Sequence, residues 1–239
     1  MSEHTVASFD EELASLSQKI AEMGGLAEQL VADSVAALVG RNGALANRVI
    51  ASDARIDKLQ HQVEESAILM IARRQPMARD LREIMGSIRI AGDLERVGDL
   101  AKNTAKRVIA IEGNFGAARL VAGVEHIAEL SLTQLKNVLD AFAARDLAAA
   151  HAVWERDEEI DAVYTSLFRE LLTYMMEDPR NITFCTHLLF CAKNLERIGD
   201  HATNIAETLH YLITGAVLAD ERPKNDTSSL TSVEYKDAG

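Results

Sequence analysis

The chain has 239 residues, a formal net charge of −12 and a pI near 5.0. Such a chain is repelled by nucleic acid and by anionic membrane surfaces, and no apolar run approaches the ~18 residues that span a bilayer, so nucleic-acid binding and direct membrane insertion are not expected. Apolar residues make up 48% and aromatics only 5%, which provides for a buried core and favours helices over strands. The N-terminus, Met1-Ser2-Glu3-His4, is polar and unlike a secretory signal. Cys185 and Cys191, six apart in a helical pattern, read as reduced core residues of a cytoplasmic protein.

Apolar residues recur at helical spacing almost throughout. A first helix is expected from about Phe9 to Val39, through Leu13, Leu16, Ile20, Met23, Leu30, Val35 and Leu38, ending at the turn Gly40-Arg41-Asn42-Gly43. A second runs to about Arg74, and Pro76 separates it from a third carrying Ile84, Ile88, Leu94, Val97 and Val108. After Gly113-Asn114-Phe115-Gly116 the pattern repeats: a fourth helix over about Ala117 to Ala144, a fifth to about Met176, a break at Asp178-Pro179, and a sixth from about Ile182 to Ile213. Residues 220–239 lose periodicity and read as a disordered polar tail.

The two halves align on each other. Val39-Gly40-Arg41-Asn42 matches Ala143-Ala144-Arg145-Asp146, and Asp53-Ala54-Arg55-Ile56-Asp57 matches Asp157-Glu158-Glu159-Ile160-Asp161. Leu94-Glu95-Arg96-Val97-Gly98-Asp99-Leu100-Ala101-Lys102-Asn103 and Leu195-Glu196-Arg197-Ile198-Gly199-Asp200-His201-Ala202-Thr203-Asn204 share seven of ten positions. The expectation is an all-α protein, a duplicated three-helix unit over 1–114 and 115–219.

Glu95, Asp99 and Asn103 fall at i, i+4 and i+8, on one helix face, as do Glu196, Asp200 and Asn204. Counted from Gln75, Asp57 and Asp53 lie 18 and 22 residues before the turn, and Glu95 and Asp99 lie 20 and 24 after it. At about 1.5 Å per residue both pairs reach the same height on adjacent helices. Around Pro179 the same holds for Asp161 and Asp157 against Glu196 and Asp200. Each half can thus gather four carboxylates, an oxygen-rich set suited to hard cations. A solvated acidic face is the ordinary alternative for Asp53/Asp57 or Asp157/Asp161 alone.

Gly98 and Gly199 each cost about 1 kcal/mol in a helix interior. Their repetition points to close approach of a neighbouring helix or ligand. Arg96 and Arg197 point off the carboxylate face, toward an ion pair with a neighbouring helix or toward a partner. The segment Arg73-Arg74-Gln75-Pro76-Met77-Ala78-Arg79-Asp80-Leu81-Arg82 is a basic island in an acidic chain. It reads as a solvated turn or as a dock for an acidic partner through Arg74, Arg79 and Arg82.

On Arg74-Gln75-Pro76-x-Ala78-x-Asp80-Leu81-Arg82 and the two Leu-Glu-Arg-(Val/Ile)-Gly-Asp motifs, the sequence resembles the PhoU family of accessory regulators of bacterial phosphate uptake, over about residues 5 to 215. The resemblance implies two three-helix bundles related by pseudo-twofold symmetry, often dimerised, so a homodimer is expected. It implies metal sites on Glu95, Asp99, Glu196 and Asp200, with Asp53, Asp57, Asp157 and Asp161, the ion being Fe, Mn, Mg or Zn. It also implies a cytoplasmic, non-catalytic adaptor between the ATPase of a phosphate ABC transporter and a sensor histidine kinase, negatively regulating the phosphate-starvation response.

The second half has Glu177-Asp178-Pro179-Arg180-Asn181-Ile182-Thr183 in place of the basic segment, so a partner contact there belongs to the first half alone. No nucleophile motif or phosphate-binding Gly-rich loop occurs. A carboxylate-bridged di-iron oxidase needs paired Glu-x-x-His motifs, and only Glu207-Thr208-Leu209-His210 fits. A metal-free structural module and an accessory protein of another phosphate transporter are the remaining alternatives.

Overall fold

The structure is a computed structural model that describes residues 2–111 and 118–218. The expected boundary between 114 and 115 and the expected tail from 220 lie outside the described residues. Among those residues there are helices and no strands. The first half contains α1 (Ser2–Val39), α2 (Gly43–Ser52), α3 (Ala54–Arg74) and α4 (Arg79–Ala110), and the second contains α5 (Ala118–Ala144), α6 (Leu147–Glu155), α7 (Asp157–Glu177) and α8 (Ile182–Thr214). The expected second and fifth helices are thus jointed: α2 and α3 meet at Asp53, and α6 and α7 meet between Glu155 and Asp157. Each half remains a three-helix bundle whose middle leg has two segments.

The helices form because their apolar residues fall on one stripe. Leu16, Ile20, Met23, Ala27, Val31 and Leu38 of α1 are buried, as are Ile84, Leu94, Val97, Ala101 and Val108 of α4. The centre of the molecule is α4 lying antiparallel on α8, flanked by α1 on α4, α5 on α8, and α1 on α5. The pairing runs the length of both helices. Asn204 Nδ2 donates to Asp93 Oδ1 at 3.3 Å, and Asn194 Nδ2 donates to Thr104 Oγ1 at 3.3 Å. Hence one continuous core joins both halves.

The turns repeat as well. Arg41 (φ 51°) and Arg145 (φ 54°) both adopt the left-handed conformation after α1 and α5, so the first stop uses Arg41 rather than the adjacent glycines. The next residue caps the following helix in each half: Asn42 Oδ1 accepts from Leu45 N and Asp146 Oδ1 from Ala149 N, both at 3.0 Å. The turns after α3 and α7 differ. Gln75 (φ 49°) and Ala78 (φ 47°) are left-handed in the first, whereas Pro179–Asn181 forms a short 3-10 turn in the second.

Candidate metal centre

In the first half, Asp53 sits at the joint between α2 and α3, Asp57 in the first turn of α3, and Glu95 and Asp99 on α4. The matched heights are realised by Lys102, whose Nζ donates to Asp53 Oδ2 at 2.5 Å and to Asp99 Oδ1 at 3.3 Å. Asp53 is buried, and its Oδ1 has no hydrogen-bond donor. Burial, then the neighbouring Asp53, pushes the Asp57 carboxyl up. Burial also raises Glu95, against the pull of Arg96, with Asp99, Asp57 and Asp53 adding to the rise. Of these four carboxyl groups, close enough to perturb one another, the Lys102 ammonium holds two, Asp53 and Asp99.

Arg96 does not reach a neighbouring helix, as its sequence position suggested. It stays over its own helix, 3.5 Å from Glu95 and 3.6 Å from Asp99. Arg197 is exposed.

The second cluster is deeper. Glu196 is 5% and Asp161 4% exposed, and Asp200 is half-buried beside them. The side chain of Asp157, first residue of α7, lies outside the described residues. Lys193 Nζ donates to Glu196 Oε1 at 2.9 Å, while Oε2 is buried without a hydrogen bond. Burial pushes the Glu196 carboxyl up to about 7; Lys193 opposes the rise, and Asp200 and Asp161 reinforce it.

The two motif glycines explain how the helices close in. A Cβ on Gly98 would stand 2.9 Å from Ile56 Cδ1 and 3.4 Å from Asp53 Oδ1, and one on Gly199 would stand 2.7 Å from Ile160 Cδ1 and 3.2 Å from Gln134 Oε1. The close neighbour is a helix, and isoleucines at equivalent positions, Ile56 and Ile160, make the contact in the two halves. Gln134, buried with no donor to its Oε1, stands at Gly199 where Asp53 Oδ1 stands at Gly98. Spacing could have flagged Lys102, three residues after Asp99, and Lys193, three before Glu196. No local signal marks Gln134.

The donor set suits a hard cation in kind, and each cluster holds one buried carboxylate oxygen without a hydrogen bond, Asp53 Oδ1 and Glu196 Oε2. As the side chains stand, among the described residues no three His, Cys, Asp or Glu are gathered to hold a metal ion. The only paired-motif candidate for di-iron chemistry is engaged elsewhere: Trp154 Nε1 donates to Glu207 Oε1 at 3.1 Å, and His210 stands edge-on to His151.

The basic island is dispersed. Arg74 turns inward to pair with Glu12 of α1, donating through Nη2 at 2.8 Å and Nε at 3.3 Å. Arg82 lies over Gly215 at the end of α8, its Nε buried without a hydrogen-bond partner. Arg79 is exposed and lines a groove of about 350 Å³ with Asp10, Asp80, Glu83 and Arg145. Among the described residues no helix is long and apolar enough to cross a membrane.

A duplicated three-helix bundle, with Asp53, Asp57, Glu95 and Asp99 near one another beside Gly98 and Asp161, Glu196 and Asp200 near one another beside Gly199, defines the class of all-helical protein to which this fold belongs. The PhoU domain matches the chain twice, at residues 20–108 and 124–209. The chain belongs to the PhoU family. It is 67% identical over 231 residues to the phosphate-specific transport system accessory protein PhoU homolog of Rhizobium meliloti (strain 1021), covering 96% of this chain and 98% of that one. The Caulobacter vibrioides (strain NA1000 / CB15N) homolog of the same description is 52% identical, covering 96% and 100%. The crystal structure of PhoU from Pseudomonas aeruginosa superposes with a TM-score of 0.84 at 39% identity, over 87% of this chain and all of that one. The phosphate transport system regulatory protein PhoU from Streptococcus pneumoniae gives 0.81 at 30% identity, over 88% and 99%.

Proposed function

We propose that the protein is a cytoplasmic, non-catalytic regulator of phosphate homeostasis. It represses the phosphate-starvation response by linking the ATPase subunit of a phosphate ABC transporter to a sensor histidine kinase, and it works as a homodimer. The observation that carries this reading is the near-complete, two-copy match to phosphate-transport accessory proteins. The surface supports it: a net charge of −12 disfavours nucleic acid and suits a protein-docking role. Of the three arginines expected to meet a partner, Arg79 is the one presented to solvent, beside the groove under α1.

The same reading includes cation binding at the acidic clusters, by Fe, Mn, Mg or Zn. Glu95, Asp99, Asp53 and Asp57 would serve the first site, and Glu196, Asp200, Asp161 and Asp157 the second. The buried, unpartnered oxygens of Asp53 and Glu196 support this, because an uncompensated buried carboxylate gains most from a cation. The ion would supply positive charge bridging the middle leg of each bundle to its last helix.

The direct test is binding of the purified protein to the isolated ATPase subunit and to the cytoplasmic part of the kinase, by biolayer interferometry. Saturable binding to both is expected. Binding to neither would remove the linking role.

A further inference from the structure

The outer face of α3 and α4, next to the turn that joins them, presents large apolar side chains to solvent. Ile68 of α3 is 63% exposed, and Leu81 and Met85 of α4 are 38% and 40% exposed. The register of the two antiparallel helices is fixed further along, where Lys102 reaches Asp53 and Gly98 lies against Ile56. Counted back from those contacts, Ile68 stands level with Met85 to within about two residues, or ~3 Å. The same count sets Glu65 level with Arg89. Arg89 lies on the α8 side of the patch, its guanidinium 5.8 Å from the centre of the Tyr211 ring. Glu65 is exposed on α3, across the patch from it. Neither forms a salt bridge among the described residues.

An apolar centre with a carboxylate on one flank and a guanidinium on the other, at one height, is complementary to itself. Two such faces, related by a twofold axis running along the helices, oppose apolar centre to apolar centre and each Glu65 to the other copy's Arg89. Resting on the reading of the protein as a homodimer, we propose that this face of the first half is the dimer interface. Ile68, Leu81 and Met85 form its centre, two Glu65–Arg89 ion pairs flank it, and α3 and α4 of the two copies run parallel. Chains of net charge −12 repel one another, so self-association needs a surface where opposite charges meet. The second half does not offer one at the equivalent place. Arg169 stands in the position of Glu65, and Phe190, under the Arg107 guanidinium at 4.2 Å, in that of Arg89.

Sedimentation equilibrium of the full-length protein measures the monomer–dimer constant. Met85→Glu, at an exposed position, is expected to weaken the wild-type dimer at least tenfold. Arg89→Glu and Glu65→Arg are each expected to weaken it at least threefold, and the two together in one chain to bring it back to within about twofold of wild type. That rescue separates a lost contact from a lost fold. Arg169→Glu, the control in the second half, is expected to leave the constant unchanged. A wild-type dimer that Met85→Glu leaves intact would overturn the proposal, keep the homodimer reading, and give the patch to residues 219–239 of the same chain or to another protein. Single losses that add in the double variant would also overturn it, since Glu65 and Arg89 would not then face each other. A wild type that stays monomeric would overturn the homodimer reading, and this interface with it.

Discussion

Gly98 lies directly against Ile56, so close that a Cβ would come within 2.9 Å of the isoleucine Cδ1, and Gly199 repeats the contact with Ile160 at 2.7 Å. Alanine gains about 1 kcal/mol of helix propensity there, and the atom it meets is the movable end of a side chain, so the two effects roughly cancel. Valine adds two further carbons with nowhere to go. Gly98→Val and Gly199→Val are expected to destabilise by about 1–3 kcal/mol, with the alanine variants within about 1 kcal/mol of wild type, as read by urea denaturation.

Glu196 gives stability a pH dependence. Its folded-state carboxyl is raised to about 7 from an ordinary 4.5, so the native state holds the proton more tightly than the unfolded chain. This contribution is fully present below about pH 4.5 and is lost as pH rises through 7, amounting to roughly 3 kcal/mol at about 1.4 kcal/mol per tenfold change in proton affinity. With chelator present, wild-type stability is expected to fall from pH 5 to pH 8 more steeply than that of Glu196→Gln. Parallel profiles would contradict the assignment.

Arg74 and Glu12 join the end of α3 to α1 by a two-pronged ion pair. In a double-substitution cycle of Arg74→Ala and Glu12→Gln, each single variant is expected to lower the melting temperature. The double variant should lower it by less than their sum. Additive losses would show that the pair is not coupled.

Cys185 and Cys191 are both fully buried and unpaired. Burial raises both thiols, Cys191 to about 12, which leaves almost no thiolate. Neither should react with a disulfide reagent in the native protein, and both should react in denaturant. Rapid native reaction would show that the α8 core opens.

Much of this fold is legible in the sequence because its signals are local. The 3.6-residue periodicity draws the long helices, Pro76 and Asp178-Pro179 place two breaks, and similar chain distances from the turn, 22 and 24 residues, set Asp53 near the height of Asp99. The joint at Asp53 escapes notice because α2 and α3 keep one apolar stripe across it. The left-handed Arg41 escapes for a different reason: Gly40 and Gly43 beside it are the better intrinsic choices, and the Asn42 cap overrides them. Arg74 meets Glu12 across 62 residues, and which way an arginine turns there depends on helix rotation that no spacing encodes. Lys102 was within reach of the i, i+3 rule. Its second partner, on another helix, was not.

The regulatory claim is tested most directly by alkaline phosphatase activity in a strain lacking this gene, grown in phosphate-replete medium. The account predicts high activity, returned to the low level by the wild-type gene. Activity as low as that of the parent strain would contradict the assignment as a negative regulator of the phosphate response.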